Sequence, residues 1–317
     1  MKILLISSQN GFGHVTRLIQ IGSELVKKKY AVTLILSEKQ TKLLPKNLNI
    51  LEKFQIHNYP PYEIDGYLRT KKLSEITKPQ VKLISSADIV IADNVLWPGE
   101  FNTNFYLHGH FLWSSILNNL DPRVRFEEKI RFNFVKKWFQ IKNFSITNEF
   151  FKNLNRIVEV NMMRYANDDK VRSLPVANKT IWVATGSMAR NKKVINSLQI
   201  FSKKFEFICI ETHMMLSLGY RPKFVIGRPG LTTIRDCLSA GVQFVPLKIN
   251  MDREVTSNVE NLIKLKLVSR EVYDEFSLNL NLGDLTDFLV EREFIEELWY
   301  KISEDSESVT RKILNNI

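Results

Sequence analysis

The sequence predicts an α/β protein of two doubly wound, Rossmann-like parallel sheets. Short apolar runs alternate with helical patterns in both halves of the chain, and a glycine turn follows a strand-like run in each half. The first strand, "KILLI", precedes a helix predicted from His14 to Lys28, and the rhythm resumes at "TIWVATGS". Such alternation is typical of parallel strands wrapped by helices. We therefore expect two facing domains with a cleft between them.

Changes in composition predict where these domains begin and end. A chain of 317 residues accommodates two domains of ordinary size. We predict an N-terminal domain over residues 1–165, a polar linker over 166–178 and a C-terminal domain over 179–303. Residues 304–317 begin with acids and end with basic and apolar residues, which predicts a C-terminal helix able to pack back on the N-terminal domain.

Composition excludes several classes of protein and leaves others open. Cys209 and Cys237 lack metal-ligand spacing, so we expect structural thiols, a reducing compartment and no zinc. No apolar run approaches the roughly 20 residues that span a bilayer, and we expect a cytoplasmic location. A formal net charge of +11 is compatible with nucleic acid, an anionic membrane face or an acidic small substrate.

The stretch "GFGHVTR", residues 11–17, directly follows the first strand. Glycines in such a turn let backbone N–H groups approach an anion, but the dinucleotide fingerprint requires a third glycine where Thr16 stands. His14 is a candidate general base, with a packing histidine as the alternative. Asp93, which ends "ADIVIAD", either orients His14 or caps the following turn. Gly13 and Arg17 are candidate phosphate contacts. An exposed position of Arg17 on the solvent-facing side of the helix is an equally good interpretation.

A second strand, turn and helix stand at "FVIGRPGLTTIRDCLSAG", where Gly230 precedes the helix. The first turn of that helix exposes N–H groups and two threonine hydroxyls, which predicts an anion site. Ser187, in the turn "TGS", is a further candidate for phosphate contact, and an ordinary strand-to-helix turn explains it nearly as well.

These two motifs together resemble the GT-B glycosyltransferases, particularly family 28, which contains an enzyme that adds N-acetylglucosamine to a lipid-linked peptidoglycan precursor. "GFGHVTR" is similar to that family's histidine-bearing turn, and also to a loop of nucleotide-sugar hydrolases of nonulosonic acid synthesis. The resemblance implies a donor diphosphate site, a ribose-binding acid at Asp236 and sugar contacts at Asp252 and Glu254. The residues it assigns to the diphosphate, beside Gly13, Arg17 and Ser187, are Arg228, Gly230, Leu231, Thr232 and Thr233.

Two aromatic segments are candidates for contacts with an acceptor or a surface. In "HGHFLW", His108, His110 and Trp113 are candidate acceptor contacts, and metal binding there lacks a third ligand. The segment 123–142 is predicted to be one helix with basic flanks, and its apolar stripe is either a core face or a face for an anionic membrane. The stripe consists of Phe126, Ile130, Phe134 and Trp138.

We therefore predict a metal-independent, inverting glycosyltransferase of the hexosyltransferase type, with no cofactor and a UDP-sugar as the expected co-substrate. The acceptor is a saccharide or a lipid-linked hydroxyl, and the resemblance points to cell-envelope polysaccharide. Peripheral association with the inner face of the membrane is a further hypothesis. Hydrolysis of the same donor is the nearest alternative. A basic nucleic-acid-binding protein is an alternative from another class, but it leaves both glycine turns unexplained, so we expect no nucleic acid partner.

Overall fold

The structure is a computed structural model in which the chain divides into two compact units. Unit 1 comprises Met1–Met163 and Glu304–Ile317, and unit 2 comprises Arg164–Ser303. The structure describes residues 1–8, 12–44, 54–59, 78–116, 122–146, 155–164, 167–185, 188–201, 205–209, 215–248, 253–271, 273–274 and 290–317.

Unit 1 is built on a parallel sheet whose order is β3-β2-β1-β4-β5-β6-β7. The chain moves outward in one direction from β1 to β3 and in the other from β4 to β7, so β1 and β4 form the topological switch point of the sheet. Helices on both faces of such a sheet explain why its central strands are almost wholly apolar and buried. The strands are β1 (Lys2–Ser7), β2 (Ala31–Ser37), β3 (Gln55–Tyr59), β4 (Ile89–Asp93), β5 (Phe105–Gly109), β6 (Val135–Ile141) and β7 (Ile157–Val160).

The helices of unit 1 include one contributed by the end of the chain. The last helix packs Val309 and Ile313 into the same apolar cluster as residues of the first helix, and the carboxylate of Asp305 caps it by accepting from the backbone N–H of Ser308. In chain order they are α1 (Phe12–Lys27), α2 (Glu38–Leu43), α3 (Lys78–Ser85), a 3-10 helix (Trp97–Glu100), α4 (Trp113–Ile116), α5 (Pro122–Phe132) and, at the chain end, α12 (Ser306–Leu314).

The start of α1 differs from the prediction, because the helix begins at Phe12 and not at His14. Gly13 and His14 therefore lie within the first helical turn. Gly11 lies outside the described residues.

The predicted single helix over residues 123–142 is wrong. The chain forms α5 as far as Phe132, turns, and continues as β6, where Trp138 is fully buried. Phe126, Ile130 and Phe134 are exposed. The apolar spacing was misleading because Phe126 and Ile130 belong to a helix, whereas Trp138 belongs to a strand that is buried along most of its length.

Unit 2 contains a parallel sheet of order β10-β9-β11-β12, so its switch point lies between β9 and β11. The predicted linker, residues 166–178, contains a helix and the beginning of β9. The strands are β9 (Val176–Ala184), β10 (Glu206–Cys209), β11 (Arg221–Gly227) and β12 (Gln243–Pro246). The helices are α6 (Asp168–Arg172), α7 (Met188–Phe201), α8 (Met215–Leu218), α9 (Leu231–Ser239), α10 (Arg253–Lys264) and α11 (Arg292–Ile302). Two short strands, β8 (Met162–Arg164) and β13 (Ser303–Asp305), lie at the two ends of the segment that forms unit 2.

Candidate active site

The centre of the candidate site in unit 1 is Asp93, the last residue of β4. Parallel pairing aligns it with Ser7 of β1 on one side and with His108 of β5 on the other. It therefore stands at the carboxyl ends of the strands beside the switch point, where open α/β sheets bind ligands. Its side chain is completely buried.

The carboxylate of Asp93 brings together three side chains from α1 and β5. His14 Nδ1 lies 2.7 Å from Oδ1, and His108 Nδ1 lies 3.0 Å from Oδ2. Arg17 donates from Nε to Oδ2 and from Nη2 to Oδ1, both at 2.9 Å. These contacts are the ones expected if Asp93 orients His14, and that role in catalysis stays a prediction.

The charge of Asp93 follows from these neighbours. Burial alone raises the pKa of a carboxyl group, but here Arg17, His14 and the hydrogen bond from His108 outweigh burial and hold the pKa of Asp93 well below its usual value. Asp93 is thus a carboxylate and accepts hydrogen bonds only. From this network we assign the proton of each imidazole to Nδ1, which leaves Nε2 of His14 as the atom able to accept a proton.

Asn94, which follows Asp93, is a part of the site that the sequence analysis did not predict. Its backbone is left-handed, with φ of 57°, and its carbonyl accepts a hydrogen bond from Trp113 Nε1 at 3.1 Å. The ring of Phe111 meets His14 edge-on, with centroids 6.4 Å apart. An asparagine directly after a strand-ending acid is a weak sequence signal, because asparagine tolerates this conformation better than most residues.

The predicted acceptor residues lie inside unit 1. His108 is 1% exposed and bonds Asp93, which differs from an open acceptor surface. His110 is buried and packs against Phe111 with centroids 4.5 Å apart. Trp113 is buried against the backbone of Asn94. Their contact with an acceptor stays a prediction.

The second glycine turn lies at the carboxyl end of β11 in unit 2. Gly227 is the register partner of Ala184, and a β-carbon at Gly227 would stand 2.1 Å from the Ala184 carbonyl oxygen. The backbone N–H of Arg228 donates to the same carbonyl at 3.0 Å. Asn258 of α10 is fully buried and donates from Nδ2 to the carbonyl of Pro229 at 2.8 Å, so a distant helix holds the turn. Sequence reasoning did not identify Asn258.

Gly230 is the N-cap of α9. Because glycine has no side chain, no side-chain cap bonds the N–H groups of the first helical turn. Thr232 and Thr233 are half-buried in that turn, whereas Leu231 is buried. Arg228 Nη2 lies 3.9 Å from Glu254 Oε2.

Asp236 is buried in α9 and forms an ion pair with Arg235. Sequence reasoning predicted this carboxylate as a ribose contact and did not anticipate the arginine. Ser187 and Asp252 lie outside the described residues.

Other predictions concern metals, thiols and membrane spans. Within the described ranges, no group of three or more His, Cys, Asp and Glu side chains has the arrangement of a metal site. In the same part of the chain, no helix is long and apolar enough to cross a membrane. Cys209 and Cys237 are free thiols, and burial raises the pKa of Cys237 well above its usual value.

Comparisons with solved structures identify the fold. The chain is similar over its whole length to the spinosyn forosaminyltransferase SpnP, with a TM-score of 0.66, 9% identity and 98% of each chain covered. It is also similar to the glycosyltransferase of kitacinnamycin, with a TM-score of 0.63, 10% identity and coverage of 100% of this chain and 99% of that one. The chain is similar as well to UGT89C1 of Arabidopsis thaliana in a complex with UDP, with a TM-score of 0.61, 13% identity and 98% of each chain covered. No protein-family model matches the chain, and no curated protein matches its sequence.

The chain thus has the α/β fold of the GT-B glycosyltransferases, as the sequence predicted. The specific resemblance to family 28 and the likeness to hydrolases are not confirmed, because no family model matches.

Proposed function

We propose that this protein is a glycosyltransferase that moves a sugar from a nucleotide-diphosphate donor, a UDP-sugar, to a hydroxyl acceptor with inversion at the anomeric carbon. The observation that carries the proposal is the 2.7 Å contact between His14 Nδ1 and Asp93 Oδ1 at the switch point of the unit 1 sheet. A histidine held in this way presents Nε2 as a general base, which is what a direct displacement by a hydroxyl requires.

In the reaction we propose, the acceptor oxygen bonds to the anomeric carbon as the bond from that carbon to the diphosphate oxygen breaks. The acceptor proton passes to His14 Nε2 and then to solvent, and the electron pair of the broken bond leaves with the nucleotide diphosphate. Asp93 stays ionised and stabilises the protonated imidazole. A single displacement of this kind inverts the configuration of the anomeric carbon.

The donor nucleotide, in this proposal, binds unit 2 and the acceptor binds unit 1. The first-turn N–H groups of α9, the hydroxyls of Thr232 and Thr233 and the guanidinium of Arg228 are groups that suit a diphosphate. They supply the stabilisation of the leaving group without a metal ion. The UDP complexes among the similar structures favour uridine, for example UGT89C1 with UDP and LpCGTa with UDP.

A thermal-shift panel of UDP, dTDP, GDP and CMP species tests the donor proposal, because a ligand that binds only the folded state raises the melting temperature. We expect a shift with UDP that survives EDTA. Transfer and hydrolysis are separated by incubating the donor with and without saccharide acceptors: release of free sugar at an undiminished rate without acceptor would establish the hydrolase instead. Salt-sensitive retention of RNA with no nucleotide-dependent shift would favour the nucleic-acid-binding alternative.

We further propose that the acceptor is lipid-linked or membrane-bound and that α5 binds an anionic membrane face. The helix is held by inward-facing residues: Glu128 accepts from the Ser114 N–H at 3.0 Å, and Phe132 is buried. Phe126 and Ile130 stand two residues to either side of Glu128, about 200° around the helix, and so point away from unit 1. They are 64% and 45% exposed, and Phe134 just beyond the helix is 43% exposed.

The charges around these apolar side chains complement anionic lipid. Arg125 and Lys129 are exposed, and the two acids of α5 are half-buried or buried. Apolar side chains flanked by cations suit the boundary between headgroups and acyl chains.

Flotation with anionic and neutral vesicles at low salt tests this surface. We expect Phe126→Ser with Ile130→Ser to abolish recovery with anionic vesicles. Leu218→Ser, which alters an exposed apolar side chain of unit 2, is the control and keeps recovery unchanged. Equal recovery with neutral and anionic vesicles refutes the membrane proposal and leaves the transfer proposal untouched.

A further inference from the structure

The carboxylate of Asp93 is shared by more groups than a pair of histidine and aspartate requires. Oδ1 receives His14 and one nitrogen of Arg17, while Oδ2 receives His108 and the other nitrogen of Arg17. A carboxylate has about four sites for hydrogen-bond donors, and all four are used here. The orientation of the group is therefore fixed from three directions.

Both imidazoles are buried, and His14 is the more exposed of the two. The side chain of His14 is 8% exposed, whereas that of His108 is 1% exposed. Both present Nδ1 to the same carboxylate, so His108 repeats the contact of His14 without reaching outward. Its contact with Asp93 Oδ2 holds the carboxylate in the orientation in which Oδ1 faces His14.

Arg17 has a second relation to His14 besides the shared carboxylate. Its Nη2 lies 2.9 Å from His14 Nδ1. A guanidinium has only donors, and Nδ1 already carries the proton that it donates to Asp93, so this contact is a close approach of positive charge and not a hydrogen bond. The guanidinium of Arg17 balances the charge of the Asp93 carboxylate beside His14.

We propose that Arg17 and His108 are positioning residues for His14: both donate to the Asp93 carboxylate and fix its orientation against His14 Nδ1. The inference rests on the proposed role of His14 as the base. The titratable and charged groups that the structure places against His14 are Asp93 from β4, Arg17 from α1 and, through Asp93, His108 from β5.

The role of Arg17 is tested by a pair of substitutions that separates its hydrogen bonds and charge from its bulk. Arg17→Met removes both donors to Asp93 and lowers kcat at least about tenfold, the scale of a lost hydrogen bond to a charged group, with little change in KM. Arg17→Lys keeps a charged donor and restores part of kcat. Wild-type kcat in the methionine variant, or no recovery in the lysine variant, overturns the proposal for Arg17.

The role of His108 is tested by a pair of substitutions that separates its hydrogen bond from its bulk. His108→Leu lowers kcat at least about tenfold, the scale of a lost hydrogen bond to a charged group, with little change in KM. His108→Asn places an amide donor near the position of Nδ1 and restores most of kcat. Wild-type kcat in the leucine variant, or no recovery in the asparagine variant, overturns the proposal for His108.

A measurement on the unmodified protein separates this inference from the proposed function and does not depend on any variant folding. Long-range proton–nitrogen NMR spectra of the histidine rings report which nitrogen carries the proton. We expect the Nδ1–H form for both His14 and His108 at neutral pH. The Nε2–H form at either ring overturns the shared-carboxylate arrangement, whereas the expected spectra together with no transfer activity count against the glycosyltransferase alone.

Discussion

A β-carbon on Gly109 would stand 1.8 Å from the side-chain oxygen of Asn94. Asn94 directly follows β4 and Gly109 ends the neighbouring strand β5. Both residues have positive φ, and the Asn94 backbone N–H donates to the His108 carbonyl at 2.9 Å. The position of the Asn94 side chain therefore requires glycine at position 109.

Gly109→Ala should destabilise unit 1, because the new methyl group meets Asn94 in a conformation that already strains any L residue. We expect a loss of about 2–4 kcal/mol in the free energy of unfolding, measured in urea. Gly219→Ala is the control: Gly219 also has positive φ, but no atom of the described residues lies within 4 Å of its added β-carbon, so the variant should lose only the stability that backbone strain costs. Equal losses in the two variants would show that contact with Asn94 does not matter.

His14→Ala should lower turnover by roughly 10²–10⁴-fold, the usual range for removing a general base, and leave nucleotide affinity unchanged. Steady-state rates and nucleotide titration measure the two effects. His57→Ala, an exposed histidine in β3, serves as the control and should behave as wild type. Near-normal turnover in His14→Ala would assign the base to another residue.

Gly230→Val should fold normally but bind nucleotide poorly. Among the described residues, a β-carbon at Gly230 meets only the Arg228 guanidinium, at 3.6 Å, so the chain can accept it while a ligand phosphate cannot approach as closely. Thermal melting with and without UDP measures both properties. Gly227→Ala should fail to fold stably, since its β-carbon would meet backbone oxygen. Normal nucleotide binding by Gly230→Val would place the anion site elsewhere.

Asp236→Ala should destabilise unit 2 by about 3–5 kcal/mol, because it removes the ion pair between two buried side chains, Asp236 and Arg235. The double variant Arg235→Met with Asp236→Leu should recover much of that loss, and urea unfolding of the two measures the difference. If Asp236→Ala is fully stable yet binds nucleotide poorly, the carboxylate serves the ribose, as the sequence resemblance implies.

Glu128→Gln should flatten the dependence of stability on pH between 4.5 and 7. Burial raises the pKa of Glu128 to about 7, against hydrogen bonds from Ser114 and Trp113 and the charge of Arg131. Because the folded state then holds the proton more tightly than the unfolded state, the stabilising contribution is complete below about pH 4.5 and is lost as pH rises through 7. The loss amounts to roughly 3 kcal/mol.

Unfolding of wild type and variant in urea across this pH range measures the effect. Glu127→Gln, a half-buried neighbour, is the control. A wild-type curve as flat as that of Glu128→Gln would contradict the prediction.

The sequence by itself determined the α/β class, the strand that precedes each glycine turn and the C-terminal helix. These features depend on residues close together in the chain: apolar alternation, a turn glycine, and Asp305 three residues before the N–H that it caps. The pairing of His14 with Asp93 was also within reach, because two parallel strands that end in polar residues place them at one edge of the sheet.

Tertiary structure alone decided which other side chains surround Asp93. His108 reaches it because β5 pairs with β4 in the register that aligns His108 with Asp93. Arg17 stands 76 positions before Asp93 in the chain and reaches it because α1 shares an apolar cluster with β4. The same holds for Asn258, which holds Pro229 from a different helix. Local pattern cannot specify such contacts, because strand order, register and helix packing result from burying the apolar surface of the whole chain at once.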